Sequence, residues 1–377
     1  MEIVLNEESK RKTSVAIAFH KNQLFLGNDA MKIGLRYPED QYQFFIDLIG
    51  KPFHDQSVKL FQQRFPYHRI EKDPVRGTVL FRNGNSEKFS PEELLAFLLN
   101  YSKNMAEKHC DEESEIKDVV ISSDIEMNAV KTAVEMSNLN LLSVISSSEA
   151  IALTLGISRK DQIVQNVKRN ILVYDMGAVK TTVTILQLTS IRMGDNQIVP
   201  IARIIHKASD LNLGGLNLQI TLRDYLAKKF QSIQETKTPL SSNPKAMMKF
   251  FKEAGRVKTV LSANKFEWAQ MENVMDDLNF KEKITRDDFL EMNQNFFRKV
   301  LRPAKQALFG ANMAVNEIHE IILNGGGTRI PDLQSQLKKY FKLDLGKGLN
   351  TDESIAIGAA FKAAQMSTHF QVCIIFT

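Results

Sequence analysis

The chain has 377 residues, 43% of them apolar and 25% charged, with a formal net charge of +5. That length suggests two domains or two large lobes, and the composition is that of a soluble globular protein with material for a sizeable core. The basic residues are scattered, so no nucleic-acid partner is expected, and no apolar run approaches the roughly 18 residues that span a bilayer. The two cysteines, Cys110 and Cys373, lie too far apart for a disulfide framework, and no metal site is expected. The opening MEIVLNEESKRKT is charged and lacks the apolar stretch of a secretory signal.

Residues 2–5, 14–18 and 24–27 cluster or alternate apolar side chains and read as short strands. Residues 42–49 (YQFFIDLI) have a helical period, and 57–65 continue a mixed region. TVLFR at 78–82 followed by Asn83-Gly84-Asn85 predicts one arm of a hairpin and its turn. Ser90-Pro91-Glu92-Glu93 predicts a helix start, with serine at the N-cap, proline in the first turn and acids near the positive end of the dipole. That helix carries the glycosylation sequon Asn100-Tyr101-Ser102, which matters only in a chain that enters the secretory route. Strand 118–122, helix 129–138, strand 141–145 and a helix from 149 follow in the order of a βαβ layer. Residues 170–186 read as two buried strands joined by a turn at 175–180, with a third antiparallel strand at 198–206. From Leu213-Gly214-Gly215 the period turns helical and stays so to about residue 261, and a long helix is predicted over 289–309.

Residues 321–333 (IILNGGGTRIPDL) place the end of a buried strand before Gly325, Gly326 and Gly327, then Arg329 and Pro331. Glycine lets a backbone take positive φ and approach a flat or charged ligand, and proline suits a first helical turn. Strand, glycine turn and helix is how an α/β protein holds a nucleotide at its strand ends, though the same turn also serves as a plain tight connection. A last helix over 354–366 follows Thr351-Asp352-Glu353. The strand-rich then helix-rich pattern occurs twice, which suggests two related lobes.

Asp175-Met176-Gly177, Leu213-Gly214-Gly215, KTVLS at 258–262, GGGTRIP at 325–331, and Asp352-Glu353 with Gly358-Ala359-Ala360 follow in order. This ordered set resembles the ATPase domain of the heat-shock protein 70 family, in the actin and hexokinase superfamily. VLNEESKRKT, LLNYSKNMAE, LGGLNL, RVKTVLSAN and MDDLNFKEKITRDDF look like its large endoplasmic-reticulum branch, the hypoxia up-regulated (oxygen-regulated) chaperones. The resemblance covers nearly the whole chain. It implies an α/β, two-lobed, actin-like ATPase fold of ribonuclease-H-like duplicated lobes. Lobe I would span 1–164 and lack its first strands and first phosphate loop. Lobe II would span 165–366 with a helical insert at about 210–302, and 367–377 would be a linker remnant.

By position, the resemblance implies that Gly325, Gly326, Gly327 and Arg329 border an adenosine, with Lys258 and Ser262 across the base and ribose and Asp352 beside the pocket. Gly214 and Gly215 would line the cleft, and Asp175 and Gly177 would belong to the second phosphate loop. The implied cofactor is ATP or ADP, with or without Mg²⁺. The implied partner is an ordinary chaperone of the same family and compartment, and unfolded polypeptide would be held only by a C-terminal region not on this chain. The compartment would be the endoplasmic reticulum lumen, or the cytoplasm if Met1 is the true start; no membrane partner is expected.

Several positions depart from the family pattern. A first phosphate loop of DLGTT type would lie before Met1. The family's cleft lysine falls on Ile46, and its acid in the NEPTAAA segment falls on Ser147, with Glu149 two residues on. The second phosphate loop, GGGTFD in the family, reads Gly177-Ala178-Val179-Lys180-Thr181-Thr182. Phosphoryl transfer depends on charge positioned around phosphates, metal and attacking water. Losing one strong contributor costs roughly a hundred-fold or more. ATP hydrolysis at a useful rate is therefore not expected, with Asp175 as the catalytic remnant. The alternatives are a regulatory or nucleotide-exchange scaffold, a working ATPase chaperone whose N-terminal exon is missing, and a sugar or acetate kinase of the same superfamily.

Overall fold

Short alternating segments build small sheets in the first part of the chain. The computed structural model describes residues 2–110, 115–125, 127–193, 197–346, 348–367 and 374–376. Two compact units result: Met1–Val144 with Thr236–Lys249, and Ile145–Glu235 with Phe250–Thr377.

In the first unit β1 (Ala16–His20) pairs antiparallel with β2 (Gln23–Leu26) and, after α1 (Gly27–Gly34), with β3 (Gln41–Gln43). Residues 42–49 do not form the expected helix. The start of that segment belongs to β3, Phe44 turns left-handed at φ 56°, and only Phe45–Leu48 closes a 3₁₀ turn. Residues 2–5 form no strand. α2 (Gln56–Arg64) is capped by Asp55, whose carboxylate accepts the Ser57 N–H at 2.7 Å. β4 (Arg69–Lys72), β5 (Val79–Arg82) and β6 (Lys88–Phe89) form a meander. The predicted turn after β5 is held by the Asn83 side chain, which accepts the N–H of Asn85 and Glu87.

α3 (Pro91–Cys110) starts where its sequence says. The Glu93 carboxylate accepts the Ser90 N–H at 2.6 Å and Ser90 Oγ accepts the Glu93 N–H at 3.2 Å, a capping box. β7 (Asp118–Ser122), α4 (Met127–Met136) and β8 (Asn140–Ile145) complete this part, with β7 and β8 paired. Tyr42, Phe61, His68 and Phe81 stack in the core at centroid distances of 5.1 to 5.9 Å. His68 Nδ1 and the Tyr42 hydroxyl are buried there with no hydrogen-bond partner among the described residues.

The second unit is built on a six-stranded sheet. α5 (Ser147–Ser158) precedes β9 (Arg169–Met176), β10 (Thr181–Met193) and β11 (Gln197–Asp210), long apolar strands that pair antiparallel. α6 (Gly215–Ile233) and α7 (Pro244–Leu261, of which 244–249 group with the first unit) follow, then a hairpin of β12 (Phe266–Met275) and β13 (Leu278–Thr285). Phe230, Phe250 and Phe280 lock α6, α7 and β13 together edge to face. The expected long helix over 289–309 is instead α8 (Arg286–Met292), α9 (Gln294–Phe297) and α10 (Arg302–Gly310), broken where Asn293 leaves helical geometry and where Pro303 starts a new first turn.

β14 (Glu320–Asn324) lies parallel to β9 and leads through the glycine turn into α11 (Pro331–Phe341). β15 (Leu345–Gly346) pairs with β14, α12 (Ser354–Met366) crosses α5, and β16 (Ile375–Phe376) joins β11. The sheet order is β15-β14-β9-β10-β11-β16. At the α5–α12 crossing the backbones touch, since a Cβ at Gly358 would collide with the Ala150 carbonyl. α5 packs on α12, β10 and β11, so it groups with this unit, and the residue-164 boundary expected above falls inside it. Cys373 and 368–373 of the expected linker remnant lie outside the described residues.

Candidate functional site

The nucleotide-site residues expected from the sequence fall on four features of the second unit, three turns or strand ends and the helix α7. The first is the turn after β14. Gly325 sits at φ 76°, and a Cβ there would strike the Met176 carbonyl, so this position requires glycine. Gly327 also packs on Met176, whereas a Cβ on Gly326 would meet nothing within 4 Å, leaving open space above the turn. The turn is pinned by the Gly325 N–H donating to the Thr351 carbonyl at 3.2 Å and by Thr328 Oγ1 donating to the Gly325 carbonyl at 2.7 Å. Arg329 reaches Asp352 in an ion pair of 2.6 Å, which holds the guanidinium at the rim.

The second feature is the end of β9. Asp175 is level with Thr182 of β10 and Asn324 of β14, and the Asn324 amide donates to its carboxylate at 3.0 Å. Ser354 Oγ in turn donates to Asn324 Oδ1 at 2.8 Å, and Thr154 Oγ1 donates to the Ser354 carbonyl at 2.7 Å. A buried polar relay thus runs from the α5–α12 crossing to Asp175.

The third feature is the 177–180 turn against the start of α6. Gly214 is pressed on the Ala178 and Val179 backbone, where a Cβ would collide. The Gly215 and Leu216 N–H groups donate to the Gly177 and Ala178 carbonyls at 3.0 and 2.7 Å. Those are the donors that would otherwise favour an anion at a helix N-terminus, and here the turn uses them. Lys180 is half-buried in this turn.

Lys258, on α7, donates from Nζ to the Gly215 carbonyl at 3.0 Å and to Gln219 Oε1 at 3.1 Å. Burial pushes its ammonium down to about 8, because desolvation penalises the charged form. Lys258, Leu261 and Ser262 line one wall of a hollow whose other walls are Arg286, Phe289 and Leu290 of α8 and Ile330, Pro331 and Asp332 at the start of α11. This brings the Lys258 and Ser262 face of α7 opposite the segment that leaves the glycine turn. Arg286 was not foreseen. It donates to the Leu261 and Asn264 carbonyls at 3.0 and 2.8 Å and caps the end of α7.

The departures also have structural roles. Glu149, the acid nearest the family's position, is committed to a capping box with Ser146 at 2.6 Å. Thr182 is buried and bonded to Ser209 across the sheet at 2.9 Å. Ile46 lies in the 3₁₀ turn of the first unit. Among the described residues no three metal-ligating acidic, His or Cys side chains come together. One carboxylate can still hold Mg²⁺ that arrives on nucleotide phosphates. Of the expected residues, Asp175 fits that role, although the Asn324 amide already occupies one of its oxygens.

Residues 1–375 match the family described as Hsp70 protein. The chain belongs to the Hsp70 family. With that family comes the α/β fold class of the two-lobed, actin-like ATPase type. Hypoxia up-regulated protein 1 of Xenopus tropicalis is 40% identical over 378 residues, 99% of this chain and 58% of that protein. The Homo sapiens protein of the same name is 40% identical over 380 residues, 99% of this chain and 38% of its own length, and that of Gallus gallus matches at 40% over 381 residues. This Hsp70-family chain therefore spans between about a third and somewhat more than half of those relatives.

Proposed function

We propose that this chain is the nucleotide-binding part of a longer Hsp70-family chaperone of the endoplasmic reticulum, in the hypoxia up-regulated branch. It holds adenine nucleotide mainly by the base and ribose and does not hydrolyse ATP at a useful rate. The observation that carries this reading is the glycine turn with open space above Gly326, set beside the Lys258 and Ser262 face of α7; the hollow behind that face, about 10 Å³, has room for no more than a water. Lys258 and Ser262 offer polar groups to a ribose or base edge, and Arg329 a planar cation at the rim. On the phosphate side the helix donors are taken by the 177–180 turn, Val179 adds bulk and Thr182 brings no charge.

Calorimetric titration with adenosine, ADP and ATP, with and without Mg²⁺, tests the proposal. Phosphates should add little, so ADP should bind no more than about tenfold tighter than adenosine. Single-turnover release of phosphate should stay at solvent background. Turnover well above background that Asp175→Ala abolishes would overturn the lost hydrolysis. If no nucleotide binds at millimolar concentration, the chain is a scaffold that acts by docking an ordinary chaperone of its own family. Passage through the secretory route would also expose Asn100, which stands on the outer side of α3, to glycan transfer.

A further inference from the structure

The β12–β13 hairpin has one buried and one outward face. Phe266 and Trp268 on its outward face are 48% and 42% exposed. Lys283 stands over the Phe266 ring at 4.4 Å and Lys281 over the Trp268 ring at 4.8 Å. Among the described residues neither ammonium has a carboxylate partner. The hairpin's inner-face acids are already engaged, Glu267 by Arg256 and Glu282 by Lys229.

The two edges of the hairpin differ. On β12 the Trp268 carbonyl accepts from Arg256 and the Gln270 N–H donates to Glu253 at 2.9 Å, so α7 caps that edge as a neighbouring strand would. Trp268 and Gln270 thus turn their backbone groups away from β13. Their cross-strand partners Lys283 and Lys281 must turn theirs away from β12, because paired residues of an antiparallel ladder face the same way. Among the described residues no strand pairs with the other edge of β13, which therefore presents backbone donors and acceptors at the same two residues that present unpaired cations.

We propose that the free edge and outward face of β13 take an extended acidic segment of a partner protein with a Glu-X-Glu pattern. Lys281 and Lys283 are two residues apart on one face, about 7 Å along the strand, which is the spacing of alternate side chains on an added strand. Strand addition supplies main-chain hydrogen bonds, and the paired charges set the register. An ammonium over a ring keeps N–H groups that point away from it for an incoming carboxylate. A nucleic-acid strand fits less well, because Asp276 and Asp277 at the hairpin turn would oppose a continuous run of phosphates.

Trp268 is the only tryptophan of the chain, so its fluorescence reports on this face directly. The full chain is titrated with a short peptide alternating Glu and Val, the same peptide with Gln for Glu, a version N-methylated on alternate amides, and an oligothymidine. The acidic peptide should give a saturable change, weakened about tenfold or more by the double variant Lys281→Glu/Lys283→Glu. The Gln and N-methylated peptides should bind markedly more weakly. The lysines are exposed, so the variant should melt like the parent; if it does not, Lys281→Gln/Lys283→Gln replaces it with the same expectation. No saturable change, equal binding of the Gln or N-methylated peptide, insensitivity to the lysine variants, or tighter binding of oligothymidine would each overturn the proposal.

Discussion

His68 shows what burial does to a single titratable side chain. It is packed among Tyr42, Phe61, Phe65, Tyr67 and Phe81, and desolvation pushes its imidazolium down to about 3 from an ordinary 6.5. As pH falls the unfolded chain therefore takes up the proton first, so stability present above pH 6.5 is lost progressively towards pH 3, by about 1.4 kcal/mol per pH unit from this residue. Urea unfolding at pH 7.5 and 5.5 should show the parent losing about 1 kcal/mol more than His68→Phe. Equal losses would mean that the ring is hydrated. Lys258 is the corresponding case in the second unit. Its side-chain carbon resonances should titrate with a midpoint near 8, and Lys258→Met should weaken adenosine binding by roughly tenfold, the value of one hydrogen bond from a charged donor. A midpoint above 10 would show that water reaches the ammonium.

Among the elements, those with chemical start and stop signals were legible in the sequence and those depending on distant partners were not. Ser90 with Glu93 announces α3 because the reciprocal bonds of the cap are local. The apolar strands β9 and β10 read correctly because burial on both faces needs continuous apolar residues. The β12–β13 hairpin was missed because its turn has no glycine. Asp276 and Asp277 both take left-handed φ, at 50° and 59°, which aspartate tolerates but does not advertise. Arg286 and its part in the hollow were lost with it. The segment 42–49 misled because its helical spacing is overridden by pairing with β1. At the α5–α12 crossing, Gly358→Ala should lower stability by about 1–3 kcal/mol, read as a fall in melting temperature, because the added methyl enters the Ala150 carbonyl rather than free space. A neutral result would show that the helices can separate without cost.

For the molecule as a whole, two separately packed units argue against a single two-state transition. A ligand held only by second-unit residues stabilises that unit, by about 2.7 kcal/mol at a hundred times its dissociation constant. Adenosine should therefore raise the transition seen by Trp268 and leave the midpoint seen by hydrogen exchange across β4, β5 and β6 unchanged. Equal shifts in both would show that the units unfold as one. Of the candidate site, the ordered glycine motifs located the turn, the α7 residues and Arg329 with Asp352. What sequence could not supply was the state of each donor. The N–H groups of α6 are spent on a neighbouring turn, and Glu149 on its own helix cap, through bonds that only the folded chain makes.

The Thr154–Ser354–Asn324–Asp175 chain makes an amide's orientation depend on a hydroxyl it would not otherwise need. Because Ser354 donates to the oxygen of Asn324, the nitrogen end is left to face the acid. With alanine at 354 the Asn324 oxygen would lose its donor, and only the Asp175 carboxylate, which accepts and does not donate, would still hold the amide's nitrogen end in place. A residue at the foot of α12 would in that way set how firmly the amide beside Asp175 is held.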